Sequence, residues 1–588
     1  MKASDYIAQF IAEQGVRHAF VLTGGCIVHS IDSIARRGDI RYIPVQHEQA
    51  GAMAADAYSR VTDNLGVVLT TSGPGATNLL TGTCCSYYDS VPVLNITGQV
   101  PISQLKRTSK SRQIGFQETD VVSIFESVTK YAVLVDDPKR IRYELEKAVS
   151  IAKSGRPGPV VVDICDDIQR ANIEPSALES FKAPSQEKNL VDLENKAAKL
   201  FGLLAKAERP VVILGGAVRL AGAATAARRF IGQAGLPYTL TWATMDLMDH
   251  SDPLYVGGFG VTSGRPGNFA VQNADLIVAI GTRLDTHEAG PDLKKFGRGA
   301  QKVIVDLDPA ELEKYEARGM PVDLPICADV RDFFEVVERN WASFTRGEIA
   351  PWLERIRIWK QNYPICLPEY DNETKVNPYV FMRELSGAVQ DDAVVVTDCG
   401  SNLIWTMQGF MARGNQRLIS AFNHSPMGYS LPASMGAALA KGGPVVCITG
   451  DGGLQMNIQE LATIERHNIP VKIFVMNNHG HGIIQGTLDS WLDGRHYAAS
   501  PDFGLPDPDY TRVAQAYGLK TETIRDHREL SYKMTEVLQS DGPVLCNVEL
   551  LNRNQIAPKL LYGRPLEDPH PLLKREEFRR NMIVEPIS

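Results

Sequence analysis

Short apolar runs rich in β-branched residues recur along the chain, each followed by a glycine-rich or polar turn. Residues 444–449 read PVVCIT and residues 471–476 read VKIFVM, while residues 458–467 between them carry apolar positions at helical spacing. Continuous apolar runs of this length are typical of strands buried on both faces of a parallel sheet. The pattern therefore predicts a strand–loop–helix–strand unit here.

The same alternation extends through the chain. Helices are predicted at residues 4–14 and 50–60 and from residue 378 onward. Strands, or strands with the turn that follows them, are predicted at residues 18–22, 40–45, 67–71, 93–97, 209–216, 275–285, 302–308 and 393–398. Strands that alternate with helices favour an α/β fold of doubly wound parallel sheets.

Two polar segments divide the pattern into three such domains. Residues 175–194 are rich in Pro, Ser, Lys and Glu and are predicted to be a linker, and residues 345–348 are predicted to be a loop. The length of 588 residues suits three or four domains of ~150 residues. We predict domains at 1–175, 190–345 and 376–560, followed by a tail at 561–588.

Composition excludes several classes of function. A net charge of −8 gives no electrostatic reason to expect binding to nucleic acid or to an anionic membrane. The first 21 residues contain Asp5 and Glu13 without a continuous apolar core, and no run of 18 apolar residues occurs, so neither a signal peptide nor a membrane span is expected. Nine cysteines without metal-ligand spacing suggest reduced thiols and a cytoplasmic protein.

Polar residues follow the two strands of the opening unit. Asp451 lies in the sequence GDG after the first strand, and Asn478 follows the second. Neighbouring parallel strands would place both residues at the carboxyl edge of the sheet, where open α/β sheets bind ligands. Their oxygens, with a backbone carbonyl, suit Mg²⁺ holding a diphosphate. The alternative is two glycine turns with unrelated asparagines.

GDG, 24 intervening residues and then NN resembles the signature of thiamine-diphosphate enzymes. The resemblance implies that Asp451, Asn478 and the main-chain carbonyl of Gly480 hold the metal. It also implies that the cofactor is lined by Gly450, Gly452, Gly453, Gly482 and Ile483.

A second set of motifs lies in the first domain. The sequences VQHEQAGAMAADAYSR, TTSGPGATNLLTG, NITGQVP and GFQETDVV resemble the pyrimidine-binding domain of the acetolactate synthase branch. The resemblance implies that Glu48 hydrogen-bonds N1′ of the aminopyrimidine and favours its imino tautomer. Without the resemblance, Glu48 would be read as a residue that complements the dipole at a helix N-terminus.

The same resemblance assigns further residues of the first domain. Those implied to lie near the pyrimidine, the reaction centre or the substrate are Gly24, Gly25, Pro74, Asn78, Gln99, Phe116, Gln117 and Lys130. For Lys130 the alternative is a solvated lysine at a helix end.

In the third domain, residues 424–429 match the segment beneath the thiazolium ring. There Met427 would support the bent form of the cofactor, and the Ser425 carbonyl would hold its amino group; ordinary core packing is the alternative for Met427. His481 stands where the acetolactate synthase consensus usually has Gln, and residues 422–424 replace a glycine-rich stretch. His481 and His424 could select the acceptor, assist protonation or be structural.

The middle domain resembles the FAD-binding domain of acetolactate synthases. The residues implied to line FAD are Gly215, Gly216, Phe259, Gly260, Val261, Gly281, Arg283, Asp285, Asp306, Asp308, Asp329 and Val330. The sequence departs from the family at residues 286–287 and 259–264. The flavin would be structural, because carboligation requires no net electron transfer.

Taken together, the resemblance implies a diphosphate-binding third domain and a cofactor held between the first and third domains of different subunits, in a homodimer or homotetramer. It implies decarboxylation of a 2-oxo acid, expected to be pyruvate, and carboligation to a second carbonyl compound. Alternatives are a ketosugar acceptor, a simple decarboxylase and a non-catalytic cofactor-binding scaffold. The tail could cover the active site or be disordered.

Overall fold

The computed structural model of the protein describes residues 1–184, 190–551 and 556–587. Within these residues the strands form three parallel sheets of six, five and six strands. The predicted class, an α/β protein with three doubly wound parallel-sheet domains, is confirmed. None of the helices in these ranges is both long and apolar enough to cross a membrane.

The first sheet has the strand order β2-β1-β3-β4-β6-β5. Its strands are β1 (His18–Val21), β2 (Arg41–Pro44), β3 (Gly66–Thr70), β4 (Val93–Gln99), β5 (Tyr131–Val135) and β6 (Val160–Cys165). The helices are α1 (Ala3–Glu13), α2 (Val28–Arg37), α3 (Glu48–Thr62), α4 (Pro74–Thr77), α5 (Leu80–Asp89), α6 (Val121–Phe125), α7 (Ile141–Lys153) and α8 (Asp166–Arg170).

The middle sheet has the order β11-β10-β9-β7-β8. Its strands are β7 (Pro210–Leu214), β8 (Tyr238–Leu240), β9 (Leu276–Ile280), β10 (Gln301–Asp306) and β11 (Leu324–Cys327). The helices are α9 (Leu190–Leu204), α10 (Ala217–Leu220), α11 (Ala224–Ala234), α12 (Arg265–Asn273), α13 (Pro309–Ala317) and α14 (Val330–Arg339), with α15 (Ala350–Asn362) in the connection that follows.

The third sheet has the order β13-β12-β14-β15-β17-β16. Its strands are β12 (Val394–Thr397), β13 (Arg417–Ile419), β14 (Val445–Gly450), β15 (Val471–Asn477), β16 (Lys520–Ile524) and β17 (Val544–Glu549). The helices are α16 (Pro378–Ala388), α17 (Ser401–Gly409), α18 (Ser430–Lys441), α19 (Asp451–Met456), α20 (Glu460–Arg466), α21 (Gly482–Trp491), α22 (Tyr510–Ala516) and α23 (His527–Gln539), with α24 (Arg575–Asn581) in the tail.

Two local predictions need correction. The predicted linker ends too late, because Leu190 already begins α9, whose apolar face packs into the middle domain; residues 185–189 of that linker lie outside the described residues. The turn predicted after β14 is a short helix, α19, which begins at Asp451 itself. A helix starting directly at the sheet edge brings its first residue into the site.

The described part of the tail is bonded to the rest of the chain. The buried carboxylate of Glu567 accepts a hydrogen bond from Gln272 at 2.6 Å, and the Ile583 amide donates to Asn273 at 2.6 Å. Trp359 donates to Asn581 at 2.9 Å. Residues 556–587 are thus bound to the middle domain and to α15, and hydrogen bonds of Ala557 with Tyr379 and of Pro558 with Gln408 also join them to the third domain.

A buried polar network joins the first and third domains of the chain. Arg60 forms ion pairs with Asp56 and Asp89, both at 2.7 Å. Tyr429 donates to Asp56 at 2.5 Å, and the Asn423 amide donates to Asp89 at 3.0 Å. Because each buried carboxylate has several partners, the network fixes the segment before α18 against the first domain.

Glu460 makes a second link between these domains. Its fully buried carboxylate accepts hydrogen bonds from the amides of Gln46 and His47, at 2.9 and 3.1 Å, directly before α3. Burial raises the pKa of Glu460 to about 7. The protonated acid therefore contributes stability that is fully present below the carboxyl's ordinary pKa and is lost as pH rises through about 7.

We expect Glu460→Gln to remove this pH dependence, because an amide oxygen keeps the two acceptor contacts but does not titrate. Between about pH 4.5 and 8 the wild-type melting temperature should fall relative to that of the variant, by the equivalent of at most about 3 kcal/mol. Differential scanning fluorimetry of both proteins measures the difference. Parallel pH profiles for the two proteins would contradict the assignment.

Candidate active site

The carboxyl edge of the third sheet brings together the GDG and NN motifs. Strands β14 and β15 are parallel neighbours, and their register pairs Gly450 with Met476. Asp451 accepts hydrogen bonds from the amides of Gly452 and Gly480, both at 2.7 Å. Burial raises the pKa of the Asp451 carboxyl to about 6.

Three oxygen donors lie on this edge. They are the Asp451 carboxylate, the side-chain amide of buried Asn478 and the carbonyl of Gly480, whose φ of +153° suits glycine. Such hard oxygens suit Mg²⁺. Among the described residues no group of three or more His, Cys, Asp or Glu side chains could hold a metal. The three donors named above are not such a group, because only Asp451 among them is one of these residue types.

The N-termini of helices α17 and α21 lie beside these donors. A Cβ built on Gly482 would lie 2.5 Å from Asn478 Nδ2 and 3.7 Å from Ser401 Oγ. A Cβ on Gly450 would lie 2.8 Å from Asn402 Nδ2. Ser401 Oγ and Asn402 Oδ1 are both buried without a hydrogen-bond partner. The Ser401 hydroxyl can donate to an anion, so this place between two helix N-termini fits a bound diphosphate.

Sequence reasoning missed Ser401 and Asn402. The available signal was their position, since they follow β12 and Gly400 at the same sheet edge as Asp451.

Met427 and His481 meet above Gly452. A Cβ on Gly452 would lie 2.5 Å from His481 Cε1 and 3.0 Å from Met427 Cε. The Met427 turn is held from below by buried Asp398, which accepts hydrogen bonds from the amide of Gly428 at 3.0 Å and from the Ser430 hydroxyl at 2.7 Å. Asp398 was also missed, because its role depends on a turn that is distant in sequence.

We expect Gly452→Ala to weaken cofactor binding, because its methyl group would displace His481 and Met427. Overpacking of about 1–3 kcal/mol corresponds to roughly a tenfold loss or more of affinity. Quenching of tryptophan fluorescence by thiamine diphosphate would measure this affinity. Gly443→Ala is the matched control, because a Cβ there meets no atom within 4 Å. Equal affinities in the two variants would contradict the close packing.

His479 supports the loop of residues 478–480, called the metal loop because it carries two of the predicted metal ligands, a role that the sequence did not indicate. Its ring nitrogens contact Asp507 at 2.8 Å and Glu549 at 3.3 Å. The hydrogen bond with Glu549 and the charge of Asp507 raise the pKa of His479 to about 9. The histidine therefore ties the loop between Asn478 and Gly480 to the end of β17.

Glu48 is the first residue of α3, and its side chain is buried in the first domain. Asn78 donates a hydrogen bond to Glu48 Oε2 at 2.9 Å. A Cβ built on Gly75 would lie 3.5 Å from Glu48 Oε1, so the first turn of α4 passes close to the carboxylate. Glu48 and Asn78 are thus brought together, with Pro74 at the start of the adjoining α4.

Gln99 is buried at the end of β4 and its amide is already bonded. It donates to Asp163 at 2.9 Å and to the Thr119 carbonyl at 2.8 Å. Burial raises the pKa of Asp163 to about 7. These contacts favour a positioning role for Gln99, because they hold the segment that carries Phe116 and Gln117.

Phe116 and Gln117 lie on a loop next to the Glu48 site. Phe116 is 83% exposed, and a Cβ on Gly73 would lie 2.9 Å from the Gln117 carbonyl oxygen. Gly24 packs against Thr71 at the end of β3, whereas Gly25 has open space around it. The loop residues predicted for the first domain therefore surround one sheet edge.

Lys130 lies elsewhere in the first domain. Its ammonium group donates to the carbonyls of Ile151 and Ser154 at the C-terminal end of α7, the latter at 2.7 Å. Burial lowers the pKa of Lys130 to about 8. These contacts support the structural alternative, a lysine at a helix end, over a substrate contact.

Two other predicted residues of the third domain are placed by packing. A Cβ on Gly400 would lie 3.6 Å from Ile483 Cγ2, so Ile483 lines the diphosphate edge. His424 stacks on Tyr88 of the first domain with ring centroids 5.5 Å apart, and burial lowers its pKa. This contact supports the interpretation of His424 as a structural residue. The sequence did not indicate it.

A cavity of about 930 Å³ opens between the middle domain and its two neighbours. Seven of the twelve residues predicted to bind FAD line it, namely Gly216, Gly281, Arg283, Asp285, Asp306, Asp329 and Val330. The remaining five do not line it, namely Gly215, Phe259, Gly260, Val261 and Asp308. Val261 is instead bonded to His287 and Leu560, because the tail packs over it.

Comparison with known proteins identifies the family. Sequence models of thiamine pyrophosphate enzymes match residues 1–124 (N-terminal TPP binding domain), 197–337 (central domain) and 398–548 (C-terminal TPP binding domain). The chain therefore belongs to the thiamine pyrophosphate enzymes.

Its relatives place it in the acetolactate synthase-like branch. It is 33% identical to the acetolactate synthase large subunit of Parasynechococcus marenigrum (strain WH8102), over 94% of this chain and 88% of that protein. It is 31% identical to the acetolactate synthase isozyme 2 large subunit of Escherichia coli (strain K12), over 95% of this chain and 97% of that protein. The family resemblance seen in the motifs is confirmed.

Proposed function

We propose that the protein decarboxylates pyruvate and joins the remaining two-carbon acetyl unit to the carbonyl carbon of a second substrate. The bond between C1 and C2 of pyruvate breaks and CO₂ leaves. A new bond forms between C2 and the acceptor carbonyl carbon, whose oxygen takes up a proton, so there is no net electron transfer. The observation that carries the proposal is the Glu48–Asn78 pair together with the Asp451–Gly480 edge, in a chain similar to acetolactate synthases.

The residues present fit thiamine diphosphate and Mg²⁺. Asp451, Asn478 and the Gly480 carbonyl would hold the metal, and the unpartnered Ser401 hydroxyl lies where a diphosphate would bind. When bound, thiamine diphosphate supplies the nucleophilic carbon and the electron sink that the loss of CO₂ requires.

The protein's own groups position the reaction and move protons. The Glu48 carboxylate, oriented by Asn78, would hold a proton at N1′ of the aminopyrimidine. Met427, held by Asp398 beneath Gly428, would form the apolar support under the reacting ring. His479 keeps the metal loop in place through Asp507 and Glu549.

A second candidate, a simple decarboxylase, is favoured by one observation. His481 lies beside Met427 above Gly452, where an ionisable group could deliver a proton after CO₂ is lost. Acetaldehyde would then be the main product in place of acetolactate or another branched product.

The proposal is tested by CO₂ release from pyruvate with and without thiamine diphosphate and Mg²⁺, followed by product analysis. We expect release to depend on both additions and acetolactate or another carboligation product to form. Acetaldehyde as the main product would establish the second candidate. No turnover with pyruvate would overturn the proposal and favour the non-catalytic scaffold.

For the middle-domain cavity we propose FAD in a structural role. The cavity volume suits an organic cofactor. The Arg283 guanidinium donates to Asn423 and borders the cavity, where it could also pair with the diphosphate of FAD. Purified protein should be yellow, with flavin released on denaturation. A colourless, flavin-free preparation would overturn this assignment.

We also propose a homodimer or homotetramer with active sites between subunits, and domain boundaries near residues 175, 190, 345, 376 and 560. The exposed side chain of Phe116, on the loop beside the Glu48 site, supports the oligomer, because a second subunit would cover it. Light scattering coupled to gel filtration should give a multiple of 64.6 kDa. A monomer that turns over pyruvate would contradict the shared site.

A further inference from the structure

A strongly basic loop stands beside the Glu48 site. Residues 106–112 read KRTSKSR, so four of seven residues are cationic and none is acidic, in a chain whose net charge is −8. Arg107 pairs with Asp136 at 3.1 Å. Lys106, Lys110 and Arg112 form no ion pair with any residue in the ranges 1–184, 190–551 and 556–587. We call residues 106–112 the basic loop.

The base of the basic loop is firmly built. The buried carboxylate of Glu118 accepts hydrogen bonds from the amides of Lys106 and Ile114, the latter at 2.9 Å. The Gly115 amide donates to the Gln104 carbonyl at 2.9 Å, and the Gln113 side chain donates to the Glu118 carbonyl at 2.8 Å. Because both ends are fixed, the loop presents its cations from a defined position.

That position is close to the reaction centre. From the loop base the chain continues into Phe116 and Gln117. The Gln117 carbonyl lies beside Gly73, directly before α4, and Gly75 in α4 lies beside the Glu48 carboxylate. Gln99 holds the far end of the segment through the Thr119 carbonyl. The loop and Glu48 belong to the same domain, so their relation does not depend on the oligomeric state.

The number of cations exceeds what the pyruvate carboxylate needs. A single carboxylate is satisfied by one cation or by backbone donors, whereas a phosphate or diphosphate offers several charged oxygens that bind several Lys and Arg groups. We propose that the basic loop binds a phosphate or diphosphate group of the acceptor. The acceptor would then be a phosphate-bearing carbonyl compound, the class that includes nucleotide-linked ketosugars. This proposal rests on the carboligase function proposed above.

The proposal is tested with matched acceptors. Holoenzyme and pyruvate are combined with dihydroxyacetone phosphate or dihydroxyacetone, and with a nucleoside diphosphate-linked ketohexose or the same sugar without its nucleotide. We expect the phosphate-bearing member of at least one pair to have a kcat/KM at least about tenfold higher. This preference should decrease as NaCl is raised, because salt screens exposed charges.

The variant Lys110→Gln/Arg112→Gln locates the effect. It should raise KM for the phosphate-bearing acceptor at least about tenfold and leave the unphosphorylated acceptor unchanged. Lys139→Gln/Lys182→Gln removes the same charge from exposed sites of the first domain and of the segment that follows it, and should change neither value. The four residues are exposed, so thermal melting should show both variants folded.

Several results would overturn the proposal. Two of them concern the acceptors: equal use of both members of every pair, and a phosphate preference that survives in Lys110→Gln/Arg112→Gln. A third is an effect of this variant on KM for pyruvate alone, which would place the donor carboxylate at the loop. The fourth is a change in the oligomeric state of the variant without a change in its use of acceptors. CO₂ release from pyruvate is measured in every one of these reactions. Its absence with every acceptor would refute the carboligase function itself, whereas its presence with no phosphate preference would refute only the role of the loop.

Discussion

Replacement of Glu48 by Gln should lower the turnover of pyruvate by a factor of ~10²–10⁴, the usual contribution of a positioned proton-transfer group. The amide cannot hold a proton in the way that the carboxylate does, although it keeps the size of the side chain and one acceptor oxygen for Asn78. The affinity for thiamine diphosphate should change much less than kcat. Steady-state CO₂ release, with fluorescence titration of the cofactor, measures both quantities.

Glu179→Gln is the control for this variant, because Glu179 is an exposed glutamate in the segment that follows the first domain. It should behave like the wild type. Unchanged turnover in Glu48→Gln would show that the carboxylate has no part in the chemistry, and the proposed mechanism would then be wrong.

Asp451→Asn should reduce the affinity for Mg²⁺ and thiamine diphosphate by at least about 100-fold, more than is typical for losing an outer-shell partner of a metal site. The carboxylate now accepts from the amides of both Gly452 and Gly480. An asparagine would turn an NH₂ group toward one of these donors and would lose the negative charge that faces the metal. Fluorescence or calorimetric titration of cofactor-free protein tests this directly.

Asp502→Asn, an exposed change in the loop after α21, should leave the affinity unchanged. If Asp451→Asn bound thiamine diphosphate and Mg²⁺ as tightly as the wild type, the metal would have to lie elsewhere. The diphosphate site between α17 and α21 would then lose its main support.

The sequence pattern was sufficient for the strands and the sheet edges. Apolar runs such as residues 444–449 and 471–476 became buried neighbours in one parallel sheet, so the residues that follow them met at one edge. The meeting of Asp451 with Gly480, and of Glu48 with Asn78, follows from this rule, because a parallel sheet places all its strand ends on one side.

The residues that the sequence did not indicate act through tertiary contacts. Asp398 supports a turn about thirty positions away, and His479 bridges two carboxylates from other elements. Lys130 is the opposite case: its sequence position predicted a contact with substrate, but its ammonium group is bonded to carbonyls at the end of a helix. Strand periodicity contains no information about such side-chain partners.

The middle domain gave the weakest match between motif and geometry. The glycine and aspartate positions at the ends of β9, β10 and β11 line the cavity, because they follow the sheet-edge rule. Residues 259–261 do not, since the tail packs over Val261 through Leu560. A prediction from motifs alone had no means of placing a tail that is about 300 residues away in sequence.

Whether the protein forms a new carbon–carbon bond from pyruvate can be seen by ¹³C NMR of a reaction that contains pyruvate labelled at C2, alone or with an added carbonyl acceptor. With thiamine diphosphate and Mg²⁺, we expect the label in the ketone carbonyl of a larger product. With pyruvate as its own acceptor, two adjacent labelled carbons should show one-bond coupling. Labelled acetaldehyde as the sole product, or unreacted pyruvate, with pyruvate alone and with each added acceptor would contradict carboligation.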